Sequence, residues 1–272
     1  MTATADDAAR FEAVLDELRR VLLELQSIGV GAVLVGGQVL ALESRGAGGS
    51  GTIQVSTATG VIVERGYSME PDLLFDVDEV AQRADAIPDV LRRCGFERRR
   101  SYRWRKATER GEVLLDLFVA PDADAANVPG DYTRLPGGDL ALLRPRVLRI
   151  QIASGLLEVA VPGAVGFLAM KLEAKLRLRP SDTKDSFDLY AYVAMKGVDA
   201  VAEAFRQDAR EGGRVLDQLR QLFGDPQADG VRDVLAYAGP LVEEERALLA
   251  RAVVDLTDEL CRASARGTVT KT

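Results

Sequence analysis

The chain contains no histidine, and this absence removes several chemistries at once. Without imidazole there is no Ser-His-Asp or Cys-His pair for nucleophilic catalysis, no histidine ligand for zinc and no histidine proton relay. Any catalysis must therefore use carboxylates, lysine, arginine, hydroxyl groups or metal ions.

Cysteine is also scarce, since the sequence has Cys94 and Cys261 and no others. The two lie far apart and neither belongs to a Cys-x-x-Cys pair. The sequence therefore predicts reduced, buried thiols rather than a disulfide framework, which suits the cytosol.

Long apolar runs are missing as well. The longest, residues 30–35 and residues 114–120 with Asp116 inside, fall well short of the ~20 residues that a membrane span requires. The first residues, MTATADDAARFEAVL, carry acids where a secretory signal has basic residues and an apolar run. We expect a soluble cytoplasmic protein with no membrane partner.

The charge is acidic overall but uneven along the chain. Lys and Arg total 35 against 42 Asp and Glu, a formal net charge of −7, which argues against a general nucleic-acid coat. The basic segment, residues 92–106, has eight basic side chains and one acid. Its arginines, with Tyr102 and Trp104, are suited to hold RNA. We favour the alternative, an exposed hairpin whose arginines pair with the surplus acids and block edge pairing.

The periodicity of the apolar residues predicts an α/β (α+β) fold. With 272 residues, the chain is long enough for one large domain or two smaller ones. Apolar residues recurring every three and four predict a helix over 5–28, followed by a buried strand over 30–35 and a helix over 38–44. The pattern then predicts a hairpin at 52–65, a strand at 68–76, a helix at 78–94, strands at 96–106 and 112–119, a loop at 121–138, and strands at 147–152 and 156–161. Helices are predicted after that at 163–178, 184–195, 198–207, 213–223 and 231–263, the last with a break near Gly239 and Pro240. We place the boundary between a mixed-sheet domain, 1–161, and a helical domain, 162–272.

Three acidic residues are candidates for chemistry. Side chains alternate along a strand, so Glu70 and Asp72 are expected on one face, and Asp116 is the lone charge of an apolar strand. Two like charges about 4 Å apart repel by ~4 kcal/mol at an effective dielectric of 20, so such carboxylates share protons, meet basic groups or hold cations. Mg²⁺ prefers these hard oxygen ligands. The alternative places Glu70 and Asp72 on a solvent face and Asp116 against an arginine.

Gly36 and Gly37 lie between a buried strand and a helix. Backbone N–H groups at such a helix start can receive a phosphate. A glycine pair there is equally typical of a tight turn that lets strand and helix pack closely.

The order of these pieces resembles the nucleotidyltransferase superfold: an apolar strand, Gly-Gly, an acid-x-acid pair and a third acid. Within that superfold, LVGGQVLAL at 34–42 and SMEPDLL at 68–74 are similar to the AbiEii-type toxins and related bacterial nucleotidyltransferase-like toxins. VPGAVGFLAMKL at 161–172, followed by Arg179 and by KDSFDL at 184–189, is similar to their Lys helix and Lys-Asp-x-x-Asp segment.

The resemblance implies a nucleotidyltransferase-like domain, closed by a helical bundle, that moves a nucleoside monophosphate from an NTP to an acceptor hydroxyl with Mg²⁺. The implied acceptor is a tRNA end or a protein. The implied role is that of a toxin in a toxin–antitoxin or phage-defence pair, with an antitoxin protein as partner.

The resemblance also implies roles for individual residues. Glu70, Asp72 and Asp116 would hold Mg²⁺, with Asp116 also the base; Gly36, Gly37 and Ser68 would contact the triphosphate; Lys171 and Lys184 would neutralise its charge; Asp185 and Asp188 would orient those lysines. For the two lysines, the alternative is a surface helix with partners such as Lys175 or Asp185.

Two features depart from the family pattern. Glu70 stands where Asp is usual, and Pro71 removes a strand N–H between the two acids. The alternative function is therefore a catalytically degenerate member of the fold that binds a nucleotide or a protein partner.

Overall fold

The structure is a computed structural model that describes residues 4–83, 85–121, 130 and 132–266. The chain divides into two compact units. The first unit comprises Met1–Thr52 and Gly66–Gly166, and the second comprises Ile53–Arg65 and Phe167–Thr272. The predicted domains, 1–161 and 162–272, stay predictions.

The strands and helices of the described residues are numbered in chain order. The strands are β1 (Val33–Val35), β2 (Ile53–Ser56), β3 (Ile62–Gly66), β4 (Asp72–Phe75), β5 (Glu97–Arg98), β6 (Arg103–Thr108), β7 (Gly111–Val119), β8 (Thr133–Arg134), β9 (Arg146–Ile152) and β10 (Gly155–Val161). The helices are α1 (Ala5–Ser27), α2 (Gln38–Gly46), α3 (Val77–Gln82), α4 (Ala86–Arg93), α5 (Gly138–Leu143), α6 (Ala164–Glu173), α7 (Thr183–Lys196), α8 (Val198–Gln207), α9 (Ala209–Phe223), α10 (Asp229–Tyr237) and α11 (Glu243–Arg266). A π-helical turn, Ala174–Leu178, follows α6.

The first unit is built on a mixed sheet, and this confirms the predicted α/β class. The strand order is β5-β6-β7-β4-β1-β10-β9, and β8 pairs with β7. Strand β4 runs parallel to β7 and antiparallel to β1. The two strands that carry Asp72 and Asp116 are therefore neighbours in the interior of the sheet.

Helix α1 forms for local reasons that the sequence already contains. The Thr4 hydroxyl accepts from the Asp7 amide at 3.1 Å, and the Asp7 carboxylate accepts from the Thr4 amide at 3.0 Å. This capping box satisfies two N–H groups that a helix start leaves open. The predicted apolar stripe, which includes Phe11, Leu15 and Leu18, is buried.

Several predicted elements are shorter or broken. The strand predicted at 68–76 begins only at Asp72, because Pro71 has no N–H for a ladder. The strand predicted at 96–106 is two strands, since the amides of Arg99 and Arg100 both donate to the Arg103 carbonyl and turn the chain.

One helix break differs from the predictions and another agrees with them. The helix predicted at 78–94 is two helices, with Pro88 in the first turn of α4, where its missing N–H is not needed. The break predicted near Gly239 and Pro240 is confirmed, since α10 and α11 are separate helices with Gly239 between them at a φ of +82°. Part of the loop predicted at 121–138, residues 122–129 and 131, lies outside the described residues; strand β8 falls within the rest, and α5, which begins at its end, was not predicted.

The second unit is helical and includes the predicted hairpin, whose strands β2 and β3 form a separate two-stranded sheet. Helix α7 lies at its core and contacts α8, α10, α11 and β2. Its aromatic side chains stack on neighbours: Tyr192 on Phe167 with ring centroids 4.3 Å apart, and Phe187 on Tyr237 at 4.8 Å. Within the described residues, no helix is long and apolar enough to span a membrane.

Substitutions at two adjacent glycines of α9 test how closely α8 and α9 pack. A Cβ on Gly212 would lie 2.6 Å from backbone atoms of Phe205, whereas a Cβ on Gly213 would meet nothing within 4 Å. We expect Gly212→Ala to lower the free energy of unfolding by about 1–3 kcal/mol through overpacking. Gly213→Ala, the matched control, should raise it by about 0.5–1 kcal/mol through helix propensity. Urea titration measures both, and stabilisation by Gly212→Ala would contradict the packing.

Candidate functional site

The sheet of the first unit brings together pieces that are far apart in sequence. Asp72 and Asp116 are register partners on the neighbouring parallel strands β4 and β7, so their side chains share one face. On the other side of β4, Asp72 pairs with Val35, the residue directly before Gly36. The two predicted ligands and the glycine turn therefore occupy one place in the sheet.

Gly36 is required by two independent features. Its φ is +74°, a conformation that favours glycine. A Cβ at this position would also overlap Oδ2 of Asp72. The carboxylate thus lies directly against the backbone of the Gly-Gly turn, and any side chain at residue 36 would displace it.

The start of α2 is tied to the segment that leads into β4. The Gln38 side-chain amide donates to the Ser68 carbonyl at 3.2 Å, and both residues are buried. Gly37 precedes the helix and, as a glycine, has no side chain of its own to cap it. Gly36, Gly37 and Ser68, the three predicted triphosphate contacts, therefore belong to the same part of the first unit.

Arg103 on β6 holds the carboxylate of Asp116 in a two-bond fork. Nε donates to Oδ1 and Nη2 to Oδ2, each at 2.7 Å, and the two residues are register partners. Nη2 also donates to Oε2 of Glu70 at 3.2 Å. The hydrogen bonds that Arg103 donates to Asp116 raise the pKa of Arg103 despite partial desolvation. The ion pair between Arg103 and Asp116 agrees with the alternative interpretation given above, in which Asp116 lies against an arginine.

The donor set suits Mg²⁺ in chemical type, because all three predicted ligands are carboxylates. Asp72 and Asp116 also suit it in position, side by side on one face. However, the part of the chain that the structure describes holds no group of three His, Cys, Asp or Glu residues arranged around a metal position. Glu70 precedes β4, and Arg103 engages both oxygens of Asp116. The residues therefore fit the ion only once Arg103 has released Asp116.

The second unit contains a buried charged cluster of its own. The Lys171 ammonium on α6 lies 3.0 Å from Asp185 Oδ1 and 2.6 Å from Asp188 Oδ2, one turn apart on α7. Arg65 of β3 also pairs with Asp188, and Arg179 lies 2.9 Å from Asp185. Lys171 and both aspartates are buried.

These charges stabilise one another. Desolvation acts to lower the pKa of Lys171, but Asp188 and Asp185 outweigh it and raise that pKa. Desolvation acts to raise the pKa of Asp188, but Lys171 and Arg65 lower it. Lys171 does pair with Asp185, as the alternative interpretation expected, yet across two helices and away from solvent. A surface helix is therefore the wrong description of Lys171.

Lys184 differs from Lys171. The residue is exposed overall, and no ion pair to its ammonium occurs among the described residues. Desolvation, followed by repulsion from Arg65 and Lys171, lowers the pKa of Lys184. The cluster thus has an excess of positive charge, which favours a bound anion.

No protein-family model matches the chain, and no curated protein or solved structure matches it either. The resemblance to nucleotidyltransferases and AbiEii-type toxins stays a prediction.

The basic segment is largely occupied by internal contacts. Arg99 lies 3.3 Å from Glu112, and Arg105 pairs with Glu97 and Glu112 at 3.6 and 3.7 Å. The indole of Trp104 is buried, with the Arg98 guanidinium 5.4 Å from its ring centroid. Pairing with acids therefore describes these arginines, and Trp104 is not available to stack on a base.

Sequence reasoning missed Arg103 and Arg65 as partners of the candidate residues. A signal for Arg103 was present: antiparallel strands joined at 109–110 place Arg103 opposite Asp116 by counting outward from Thr108 and Gly111. No comparable signal exists for Arg65, because it reaches Asp188 across 123 residues of chain.

A substitution at Asp188 tests whether the buried charges of the second unit depend on one another. We expect Asp188→Asn to lower the free energy of unfolding by about 3–5 kcal/mol, because Lys171 and Arg65 lose a buried counter-charge. Asp229→Asn is the matched control, since its pair with Arg232 is exposed and worth about 0–1 kcal/mol. Urea titration at pH 7 measures both, and equal small effects would contradict the assignment.

We also expect the effect of Asp188→Asn on stability to depend on pH. The pKa of Asp188 is lowered from its usual 3.8. The stabilisation that the Asp188 carboxylate gives the folded state is therefore complete above the unfolded-state pKa. It is lost as the pH falls through the lower folded-state pKa. The stability difference between wild type and Asp188→Asn should be constant near neutral pH and shrink below about pH 4. A difference that grows on acidification would contradict this sign.

Proposed function

We propose that the protein is a Mg²⁺-dependent nucleotidyltransferase that moves a nucleoside monophosphate from an NTP to an acceptor hydroxyl. One observation supports this most: the Gly-Gly turn at the start of α2 lies against Asp72, and Asp72 is beside Asp116 on the next parallel strand. A phosphate-receiving turn next to paired carboxylates is the combination that phosphoryl transfer needs.

Each group of the first unit has a role in this proposal. The backbone N–H groups that follow Gly36 and Gly37 donate to phosphate oxygens, with Ser68 nearby. Asp72, Asp116 and Glu70 would hold Mg²⁺, which when bound neutralises charge on the phosphates. Asp116 accepts the proton of the acceptor hydroxyl once one of its oxygens is released by Arg103.

For the lysines of the second unit, we propose that Lys184 is available to a phosphate group and that Lys171 acts indirectly. Lys171 is enclosed by Asp185 and Asp188, so its charge is already compensated. Lys184 is exposed, and Arg65 and Lys171, which lower its pKa after desolvation, are cations whose presence would be favourable to a phosphate. The acceptor, a tRNA end or a protein, and the role of a toxin with an antitoxin partner rest on the family resemblance alone.

A second candidate function is a nucleotide- or partner-binding module without catalysis. The fork between Arg103 and Asp116 favours it, because a carboxylate whose two oxygens are both hydrogen-bonded to a guanidinium is a poor base. The departures at Glu70 and Pro71 agree with this function.

A transfer assay distinguishes the two. Purified protein with Mg²⁺, each α-labelled NTP in turn, and bulk tRNA with cell protein should label one acceptor with one nucleotide. Asp72→Asn and Asp116→Asn should each reduce transfer by at least about 100-fold, the scale seen when one electrostatic contact to a transition state is lost. Asp78→Asn, an exposed residue of α3, is the control and should transfer normally.

The outcomes separate cleanly. Label transfer that survives in both site variants would remove the carboxylates from the mechanism. NTP binding by calorimetry without transfer to any acceptor would favour the binding module.

A further inference from the structure

Arg103 bonds to carboxylates that the proposed metal ion would also need. Its guanidinium bonds to both oxygens of Asp116 and to one oxygen of Glu70, two of the three carboxylates proposed as ligands. The ion and the guanidinium are both cations that require the same oxygens of Asp116. The two positive charges also repel each other, so the ion and the guanidinium compete for that carboxylate.

The fork is a physical necessity when no other cation is present. Asp116 is only 5% exposed and is surrounded by the apolar residues of β7. A buried carboxylate without a partner is costly. Arginine stays charged at all relevant pH values and its planar fork matches a carboxylate, so Arg103 is an effective built-in counter-charge.

Arg103 is nevertheless placed where it is able to move. Its side chain is 28% exposed, and the Glu70 side chain that shares its Nη2 is 52% exposed. Glu70 precedes β4 and is not held in the sheet ladder. Rotation of the Arg103 side chain would therefore carry an already part-exposed guanidinium further into solvent.

We propose that Arg103 is an internal competitor for the divalent cation: it neutralises Asp116 in the metal-free protein, and metal binding requires the Arg103–Asp116 ion pair to open. This inference rests on the proposed function, because it takes Asp116 as a metal ligand. Competition from Arg103 lowers the affinity of the site for metal below that of the same carboxylates without the arginine. Release of Asp116 by Arg103 is then the step that prepares the site.

Metal affinity, measured without nucleotide, tests the proposal. We expect Arg103→Gln to bind Mn²⁺ with a dissociation constant at least about tenfold lower than wild type in calorimetric titration of the full chain, the scale on which groups next to metal ligands alter affinity. Arg103→Lys keeps the charge but loses the fork, and should fall between the two. Arg105→Gln, on the same strand and face, pairs with Glu97 and Glu112 instead and should match wild type.

A second readout protects against a poorly folded variant. Saturating Mn²⁺ should raise the melting temperature of Arg103→Gln more than that of wild type, because binding to the native state stabilises it. If Arg103→Gln does not fold, the comparison of Arg103→Lys with wild type decides the matter, and tighter binding is expected.

The contradicting outcomes are distinct. Equal or weaker Mn²⁺ binding by both Arg103 variants would overturn this inference and leave the proposed magnesium site standing. Absence of Mn²⁺ binding in wild type and in both variants would overturn the inference together with the metal-dependent part of the proposed function.

Discussion

A carboxylate placed in the middle of a sheet has to be neutralised, and the first unit is arranged around that requirement. Asp116 lies on β7 between β6 and β4, among apolar side chains, and Arg103 reaches it from the opposite register position on β6. The same register sets Asp72 beside it on β4. Because these positions follow from strand pairing, the contacts of the candidate site depend on the order β6-β7-β4-β1.

The second unit meets the same requirement by a different arrangement. There the buried group at the centre is a lysine, and Asp185 and Asp188 approach from a neighbouring helix while Arg65 and Arg179 join from outside. A cluster with several charges of each sign tolerates burial because each group compensates others. Its surplus is positive, whereas the candidate residues of the first unit, Glu70, Asp72, Asp116 and Arg103, carry a negative surplus. Within each unit, the surplus indicates the sign of the ligand it is suited to attract.

These arrangements bear on the choice between an enzyme and a binding module. The close contact of Asp72 with Gly36 places a carboxylate against a backbone turn, as the proposed enzyme needs. The fork on Asp116 is readily explained as packing, since it satisfies a buried charge. The two features are compatible if Arg103 neutralises Asp116 until a divalent cation replaces it.

Local features were predictable because they depend on neighbours in sequence. The stripe of α1, the strand and glycine turn before α2, and the apolar β7 with its single charge all follow from periodicity and residue type. The register that joins Arg103 to Asp116 was also within reach, because a two-residue turn determines it. The start of β4 at Asp72 was not, because alternation predicted a longer strand and Pro71 ended it.

By itself, the sequence determined which groups are available: no imidazole, three acids in a fixed order, a glycine pair, and lysines followed by aspartates. Tertiary structure decided which of them meet. It placed Asp72 against Gly36, gave Asp116 an arginine, and buried Lys171 between two carboxylates while leaving Lys184 exposed. The physical reason is that residue type sets what a side chain is able to bond, whereas the partner that satisfies a buried charge comes from a segment brought near only by strand and helix packing.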